Sequence, residues 1–325
     1  MNWRITLIPL LGILFATGSL KGQSAAFLEV APDARAAALG EAGTALSPDA
    51  WSVYWNVAKA VAAKSKAELA YSFSPWMKDL RSNSRLHRIG GYWQLTDKDA
   101  VVAGFRHFTN GVFELTDDNG VTTGEVNPYE YALEVGYARS LYKGLSAGAT
   151  VRYIRSDMGS LANLDPANAV AFDLGLYYRM EISLLAQEKS ELAFGLTMSD
   201  LGSRIKYFES EYALPTRLAA GAALTLPLAS HHTLQSSVNV AYRVTPSDSR
   251  VCSGGLGLEY GLYGIGIFRA GYHWNDIEKS MGGDYVSLGL GVKYWHLFAD
   301  AAWRLATESY DPLDKTFTFS VGINF

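Results

Sequence analysis

Polar and apolar residues alternate along most of this 325-residue chain. The last ten residues, from Thr316 to Phe325, alternate without a break and stop on an aromatic residue. A period of two predicts a β-strand with one apolar face and one polar face. Such a terminal strand can close a sheet against the first strand and leave no unpaired edge.

The alternating segments number about fourteen, and most are about 9–11 residues long, which is the length with which a tilted strand crosses the hydrocarbon layer. They lie near 66–76, 86–96, 99–108, 130–140, 145–156, 169–180, 191–200, 215–225, 233–243, 252–261, 264–274, 283–293, 296–304 and 316–325. A soluble β-sandwich would show the same pattern in each single strand. The number and spacing of the strands favour an all-β fold: a transmembrane outer-membrane β-barrel of about 14 antiparallel strands.

The connections between these segments alternate in length, as they do in outer-membrane barrels. Long connections follow the odd-numbered strands, at 77–85, 109–129, 157–168, 201–214, 244–251, 275–282 and 305–315. Most connections after even-numbered strands are tight, although 181–190 and 226–232 are longer than the rule prefers. The long connections are therefore predicted to be extracellular. Aromatic residues near the strand ends suit the headgroup layer.

The first 23 residues have the layout of a secretory signal peptide. Arg4 precedes an apolar run from Ile5 to Phe15, which is too short for a membrane-spanning helix. Cleavage near residue 23 removes Arg4 and Lys21 from the 28 basic residues and leaves 26 against 32 acidic, a net charge of −6. This charge gives no indication of nucleic acid as a partner.

Residues 24–65 do not alternate, and the domain organisation predicted is a signal peptide (1–23), an N-terminal plug (24–65) and the barrel (66–325). A fourteen-stranded barrel is wider than side chains alone can fill, so this segment can occupy the lumen. The alternative is a periplasmic tail. Trp51, Tyr54 and Trp55 favour a packed segment.

The residues that could carry chemistry form no catalytic or metal-binding set. The pair His231-His232 falls in a predicted turn, and Asp117-Asp118-Asn119-Gly120 lacks the spacing and terminal Glu of an EF-hand. No G-x-S-x-G motif occurs. Gly255, Gly257, Gly289 and Gly291 are interpreted as small residues that face the lumen, and the single Cys252 forms no internal disulfide. We therefore expect no enzyme activity, no cofactor and no metal.

The stretch from Ala31 to Ala60, APDARAAALGEAGTALSPDAWSVYWNVAKA, followed by YSFSPW (71–76), resembles the PorV/PorQ family of the type IX secretion system, within the wider FadL-like barrels. The resemblance continues in SDLGSRIKY (199–207), LPTRLAAGAAL (214–224), FRAGY (268–272) and DPLDKTFTFSVGINF (311–325). Asn56-Val57-Ala58 stands where the family has Asn-Pro-Ala, and the chain is shorter than PorV proteins. The resemblance does not separate PorV from its sister PorQ or from another paralogue.

The resemblance implies a location in the outer membrane of a Gram-negative bacterium of the Bacteroidetes. It implies that the barrel receives secreted proteins with a conserved C-terminal domain at the type IX translocon and delivers them to the surface attachment complex. The partners implied are translocon and attachment-complex proteins, C-terminal-domain cargo and outer-membrane lipid. The cargo-binding residues are unknown, although long extracellular loops are where such recognition usually occurs.

Two groups of residues are the candidate sites. The plug motif comprises Pro32, Asp33, Arg35, Asp49, Trp55 and Asn56, and the barrel-closing strand contributes Phe317, Phe319 and Phe325. The alternative function is a FadL-like transporter of hydrophobic small molecules, which would need an apolar lumenal pocket and a lateral opening. An outer-membrane enzyme is a third and more distant alternative.

Overall fold

The computed structural model describes residues 25–76, 84–117, 119–158, 165–184, 189–207, 209–280, 282–308 and 311–325. Within these ranges, fourteen antiparallel strands form one closed barrel. The predicted fold class is therefore confirmed. The predicted signal peptide (1–23) and parts of the predicted loops 77–85, 157–168 and 305–315 lie outside the described residues.

The barrel strands match the predicted segments to within a few residues. They are β1 (Ala67–Pro75), β2 (Arg85–Thr96), β3 (Asp99–Thr109), β6 (Tyr129–Tyr142), β7 (Leu145–Asp157), β8 (Ala167–Ile182), β9 (Ser190–Gly202), β12 (Arg217–Ala229), β13 (His232–Arg243), β14 (Val251–Leu262), β15 (Gly266–Trp274), β16 (Tyr285–Tyr294), β17 (Leu297–Ala306) and β18 (Phe317–Asn324). Two further pairs, β4 (Phe113–Thr116) with β5 (Thr122–Val126) and β10 (Ile205–Tyr207) with β11 (Ser210–Tyr212), form separate hairpins.

The alternation in the sequence corresponds to the two faces of the barrel wall. Along β8, burial alternates residue by residue. Phe172 and Leu174 are exposed on the outer face, whereas Asp173 and Tyr177 are buried on the inner face. Aliphatic and aromatic side chains on the outside suit contact with lipid, and the polar positions face the lumen.

The terminal strand closes the barrel, as the alternation of the last ten residues predicts. β18 lies between β17 and β1, and Phe319 stands directly opposite Phe73. The backbone amide of Phe325 donates to the carbonyl of Ala67 at 2.9 Å. Closure satisfies the strand edges that would otherwise be unpaired in lipid.

The connections differ from the prediction in three places. The loops 109–129 and 201–214 contain the hairpins β4–β5 and β10–β11, which are too short for the alternation to stand out. The predicted connection 226–232 was wrong, because β12 continues to Ala229 and β13 begins at His232. Pro227 lies where the β12–β13 register shifts, and a strand tolerates proline at such an irregularity.

Between residue 25 and the first strand, four short helices precede the barrel: a 3₁₀ turn (Ala26–Glu29), α1 (Ala34–Ala37), α2 (Ser52–Trp55) and a second 3₁₀ turn (Val57–Ala62). In the described part of the chain, no helix has the length and apolar character needed to cross a bilayer.

Candidate functional site

Residues 25–63, called the lumenal segment below, run inside the barrel. Their side chains and backbone are hydrogen-bonded to inward-facing residues on strands from opposite sides of the wall. These contacts are Arg88 to the carbonyl of Ala31, Arg106 to that of Leu28, Ser146 to that of Ala58, the amide of Ala34 to Ser320, and Arg35 to Gln235. Contacts with β2, β3, β7, β13 and β18 at once require that the segment lies within the lumen.

Asp33 joins the two α-helices of the lumenal segment, α1 and α2. One carboxylate oxygen accepts the amide of Ala36 at 2.7 Å and so caps α1. The other accepts the indole N–H of Trp55, at the end of α2, at 2.8 Å. Burial, together with the nearby charge of Asp49, raises the pKa of Asp33 to about 6. Pro32 is buried immediately before this cap.

Arg35 connects the lumenal segment to the barrel wall through charged hydrogen bonds. Its guanidinium donates to Glu259 on β14 and to Asp49, each at 3.0 Å, and to Gln235 on β13 at 2.8 Å. Glu259 also accepts from Arg269 on β15 at 2.6 Å. A buried charge is tolerated where it is paired and hydrogen-bonded, so this network fixes the segment against one side of the wall.

Asn56 fixes the segment to β8, which lies four strands from β14 around the wall. Its side-chain amide donates to the carbonyl of Leu176 on β8 at 2.9 Å, and its oxygen accepts the amide of Ala58 at 3.1 Å. Close by, Lys59 is fully buried and donates to the carbonyl of Gly43 at 2.9 Å. Burial lowers the pKa of Lys59. The sequence analysis did not single out Lys59, because a lysine on a short irregular segment carries no periodic signal.

Glycines on the inner wall form a groove that seats the turn at Leu39 and Gly40. A Cβ added to Gly255 would overlap the carbonyl oxygen of Gly40. One added to Gly257 would lie 2.6 Å from the Cβ of Leu39, and one added to Gly271 would lie 2.5 Å from the carbonyl carbon of Leu39. These glycines face the lumen, as the sequence predicts for Gly255 and Gly257, and they allow close approach of the backbone.

A second charged network lies across the inner faces of β3, β6, β7 and β8. Glu134 accepts from Arg106 at 2.6 Å and from Arg152 at 3.1 Å. Arg152 also donates to Asp173 at 2.7 Å and forms an ion pair with Asp200 on β9. The alternation in the sequence indicated that charged side chains face the lumen. It did not indicate that these side chains pair with one another across five strands. Such pairing depends on register, which one sequence does not show.

A cavity of about 100 Å³ lies between the lumenal segment and strands β1 and β15 to β18. Its lining combines charged and polar side chains with a similar share of apolar ones. Glu41 accepts the hydroxyl of Tyr285 at 2.8 Å, and the guanidinium of Arg304 stacks over the Tyr285 ring at 4.1 Å. His273 and Trp76 contribute further surface. The cavity is therefore small and only partly apolar.

The predicted closing-strand residues face outward. Phe317 and Phe319 are 39% and 41% exposed on the outer wall, and Phe325 is 63% exposed at the end of the strand. They lie on the opposite side of the wall from the plug-motif residues, so the two predicted groups do not form one site.

The residues weighed for chemistry do not form a site. Among the described residues, no group of three or more His, Cys, Asp or Glu could hold a metal ion. His231 stacks on Tyr263 at 5.2 Å. Asp117 accepts the backbone amides of Asn119 and Val121, and these hydrogen bonds lower its pKa. This is a turn at the tip of the β4–β5 hairpin.

The family model described as "Type IX secretion system protein PorV" matches residues 20–250. The chain belongs to the PorV family. The matched range contains the whole lumenal segment and all strands from β1 to β13, and it ends before the resembling motifs at 268–272 and 311–325. No match was found among curated protein sequences.

Solved structures with the same fold are FadL-like barrels. The toluene transporter TodX of Pseudomonas putida has a TM-score of 0.56 and 12% identity, covering 89% of this chain and 95% of TodX. The toluene transporter TbuX of Ralstonia pickettii has a TM-score of 0.56 and 12% identity, with coverage of 91% and 98%. A FadL homologue of Pseudomonas aeruginosa has a TM-score of 0.52 and 12% identity, with coverage of 90% and 98%. Identity this low shows the fold alone, and together with the PorV family it places the chain in the outer membrane.

Proposed function

We propose that this PorV-family barrel is a shuttle of the type IX secretion system. It binds secreted proteins that carry a conserved C-terminal domain as they leave the translocon, and it delivers them to the surface attachment complex. The PorV match over residues 20–250 carries this proposal. The expected partners are translocon and attachment-complex proteins, and the expected role is binding without catalysis.

The lumen supports a role that does not depend on solute passage. We propose that the lumenal segment acts as a plug. It is held by Arg35 on the side of Glu259 and by Asn56 on the side of Leu176. With this segment in place, the surfaces available to a large partner are the outward loops and hairpins, which stand on a rigid wall.

The second candidate function is transport of hydrophobic small molecules, which the fold of the TodX and TbuX transporters favours. Such a function requires an apolar passage. The cavity found here is lined by Glu29, Glu41 and Arg304, and the rest of the described lumen is crossed by ion pairs. These observations support the shuttle over the transporter.

The experiment that tests the shuttle is deletion of the gene. We expect proteins with the conserved C-terminal domain to remain in the periplasm with that domain uncut, and to return to the surface on complementation. Shortening the 109–129 loop should reproduce the defect while the barrel still assembles. Normal surface display of cargo in the deletion strain, together with reduced uptake of a hydrophobic compound, would replace the shuttle with the transporter.

A further inference from the structure

The β4–β5 hairpin, residues 113–126 and called the outward hairpin below, stands apart from the barrel. Its base is closed by the amide of Asn110, which donates to the carbonyl of Pro128 at 3.0 Å. Among the described elements, β4 and β5 are paired with each other and join no other strand. Val126 is the one buried residue on the two strands of this hairpin, and a two-stranded hairpin that buries so little apolar surface is marginally stable in water.

The charges on the outward hairpin are unbalanced. The stretch from 110 to 129 contains four acidic residues, Glu114, Asp117, Asp118 and Glu125, and no Lys, Arg or His. Glu114 and Glu125 are exposed and stand directly opposite each other on the two strands. Like charges in this position destabilise a strand pair. The isolated hairpin therefore carries a repulsion that a cation on the same face would relieve.

The second hairpin of the chain, β10–β11, shows the opposite arrangement. There Lys206 stands directly opposite Glu211, which is a complementary pair. Ile205 of the same hairpin is fully buried in the core with Leu28 and Leu214. The β10–β11 hairpin thus has opposite charges paired across its strands and a fully buried residue, whereas the outward hairpin has like charges paired across its strands.

The outward hairpin also offers a free strand edge and apolar surface. Each strand of a two-stranded sheet has a second edge, and the second edge of β5 has no partner strand within the described chain. An unpaired edge is a template for another strand. Val112 and Val121, at either end of the hairpin, are 53% and 60% exposed.

We propose that the outward hairpin binds a basic β-strand of the secreted cargo, which adds to an edge of the hairpin and sets a Lys or Arg against Glu114 and Glu125. This inference rests on the proposed function and names the chemistry of the partner. Strand addition supplies backbone hydrogen bonds, and the alternate side chains supply specificity. Neighbouring strands lie about 4.8 Å apart, so a long basic side chain beside Glu125 also reaches the field of Glu114.

The first test uses the purified full-length protein in detergent and a fluorescent eight-residue peptide of alternating Thr and Lys. We expect Glu114→Gln/Glu125→Gln to weaken binding about tenfold or more, because charge-assisted hydrogen bonds are lost. The matched control, Glu209→Gln/Glu211→Gln on the other hairpin, removes the same charge and should bind as the wild type does. The Thr-Glu peptide should not bind. Equal weakening in both double variants would overturn the inference, because it would show a general charge effect.

The second test compares three strains: the deletion, Glu114→Gln/Glu125→Gln and the control double variant. Removal of the repulsion leaves the hairpin at least as stable, and heat-modified migration on gels checks that the barrel assembles. We expect the first two strains, and not the third, to trap cargo. Trapping in the deletion strain alone would overturn the inference and leave the shuttle standing. The same conclusion would follow if Glu114→Gln/Glu125→Gln lost binding to the translocon and kept binding to cargo. Normal secretion in the deletion strain would overturn both.

Discussion

Replacement of Gly271 by valine should release the lumenal segment while the barrel stays closed. Gly271 lies on the inner face of β15, where an added Cβ would meet the backbone of Leu39 and Gly40. Backbone atoms cannot rotate away as a flexible side chain can. Gly266 on the same strand provides the matched control, because a Cβ there has no heavy atom within 4 Å.

The size of the effect follows from these contacts. Forcing extra carbon atoms into a packed site costs about 1–3 kcal/mol, and a clash with backbone belongs at the upper end of that range. The strain is relieved if the segment leaves its seat. Release also separates Arg35 from Glu259, and breaking a buried ion pair costs about 3–5 kcal/mol, but this cost is the same in the wild type and in the variant. The substitution therefore adds about 3 kcal/mol to the seated state, which raises the unseated fraction about a hundredfold.

The assay is the rate at which a membrane-impermeant maleimide labels Ala45→Cys in whole cells. Ala45 is 1% exposed in the seated segment, so labelling requires opening, and its rate follows the opened population. The exposed Cys252 is first replaced by serine. We expect Gly271→Val to label about a hundredfold faster than the wild type and Gly266→Val to label within about threefold of it. An assembled Gly271→Val barrel that labels at the wild-type rate would refute the groove as the seat.

Three further predictions concern the segment and the closing strand. Arg35→Ala should speed the same labelling at least tenfold, because Glu259 loses one of its two guanidinium partners; a wild-type rate would contradict this. Because burial raises the pKa of Asp33 to about 6 from its usual 3.8, the seated state binds the proton more tightly, and seating should weaken by about 2 kcal/mol as pH rises from about 4 to about 6. The unfolding temperature of the barrel should therefore fall across that window, and Asp33→Asn should flatten the profile. Phe325→Ser should lower the amount of assembled barrel on gels by more than Phe319→Ser does, because the terminal position contributes beyond the apolar area that is lost. Equal effects of the two substitutions would assign the loss to apolar area alone.

The wall of this barrel could be predicted from the sequence because membrane strands obey a local rule. Each residue of β8 faces lipid or lumen according to a period of two. The sides on which Phe172 and Asp173 lie can therefore be predicted without knowledge of any distant contact. The same rule predicts the strand ends to within a few residues. It failed at 226–232, where the Pro227 irregularity and a two-residue turn resemble a longer loop.

The interior could be predicted only in outline because it depends on contacts distant in sequence. Arg35 and Glu259 are separated by 224 residues, and Asp33 and Trp55 lie on two different short helices. The residue types indicated buried charges and small residues. Which charged residues pair with each other could be known only from the register of the fourteen strands. The two hairpins were missed for a related reason, since three to five residues are too few to show a period.

The free energy needed to separate the ion pairs in the lumen affects where a ligand can bind. Arg35, Arg106 and Arg152 are held inside the lumen, and each buried charge contributes favourably only while its partners remain in position. A ligand that entered the lumen would have to separate such pairs and offer equal hydrogen bonds in return, which a hydrocarbon cannot do. The outward hairpin presents the reverse balance. Glu114 and Glu125 repel each other in the free protein, so a basic partner strand relieves an existing cost instead of creating one. This contrast supports the proposal that the ligand is a polypeptide that approaches from outside.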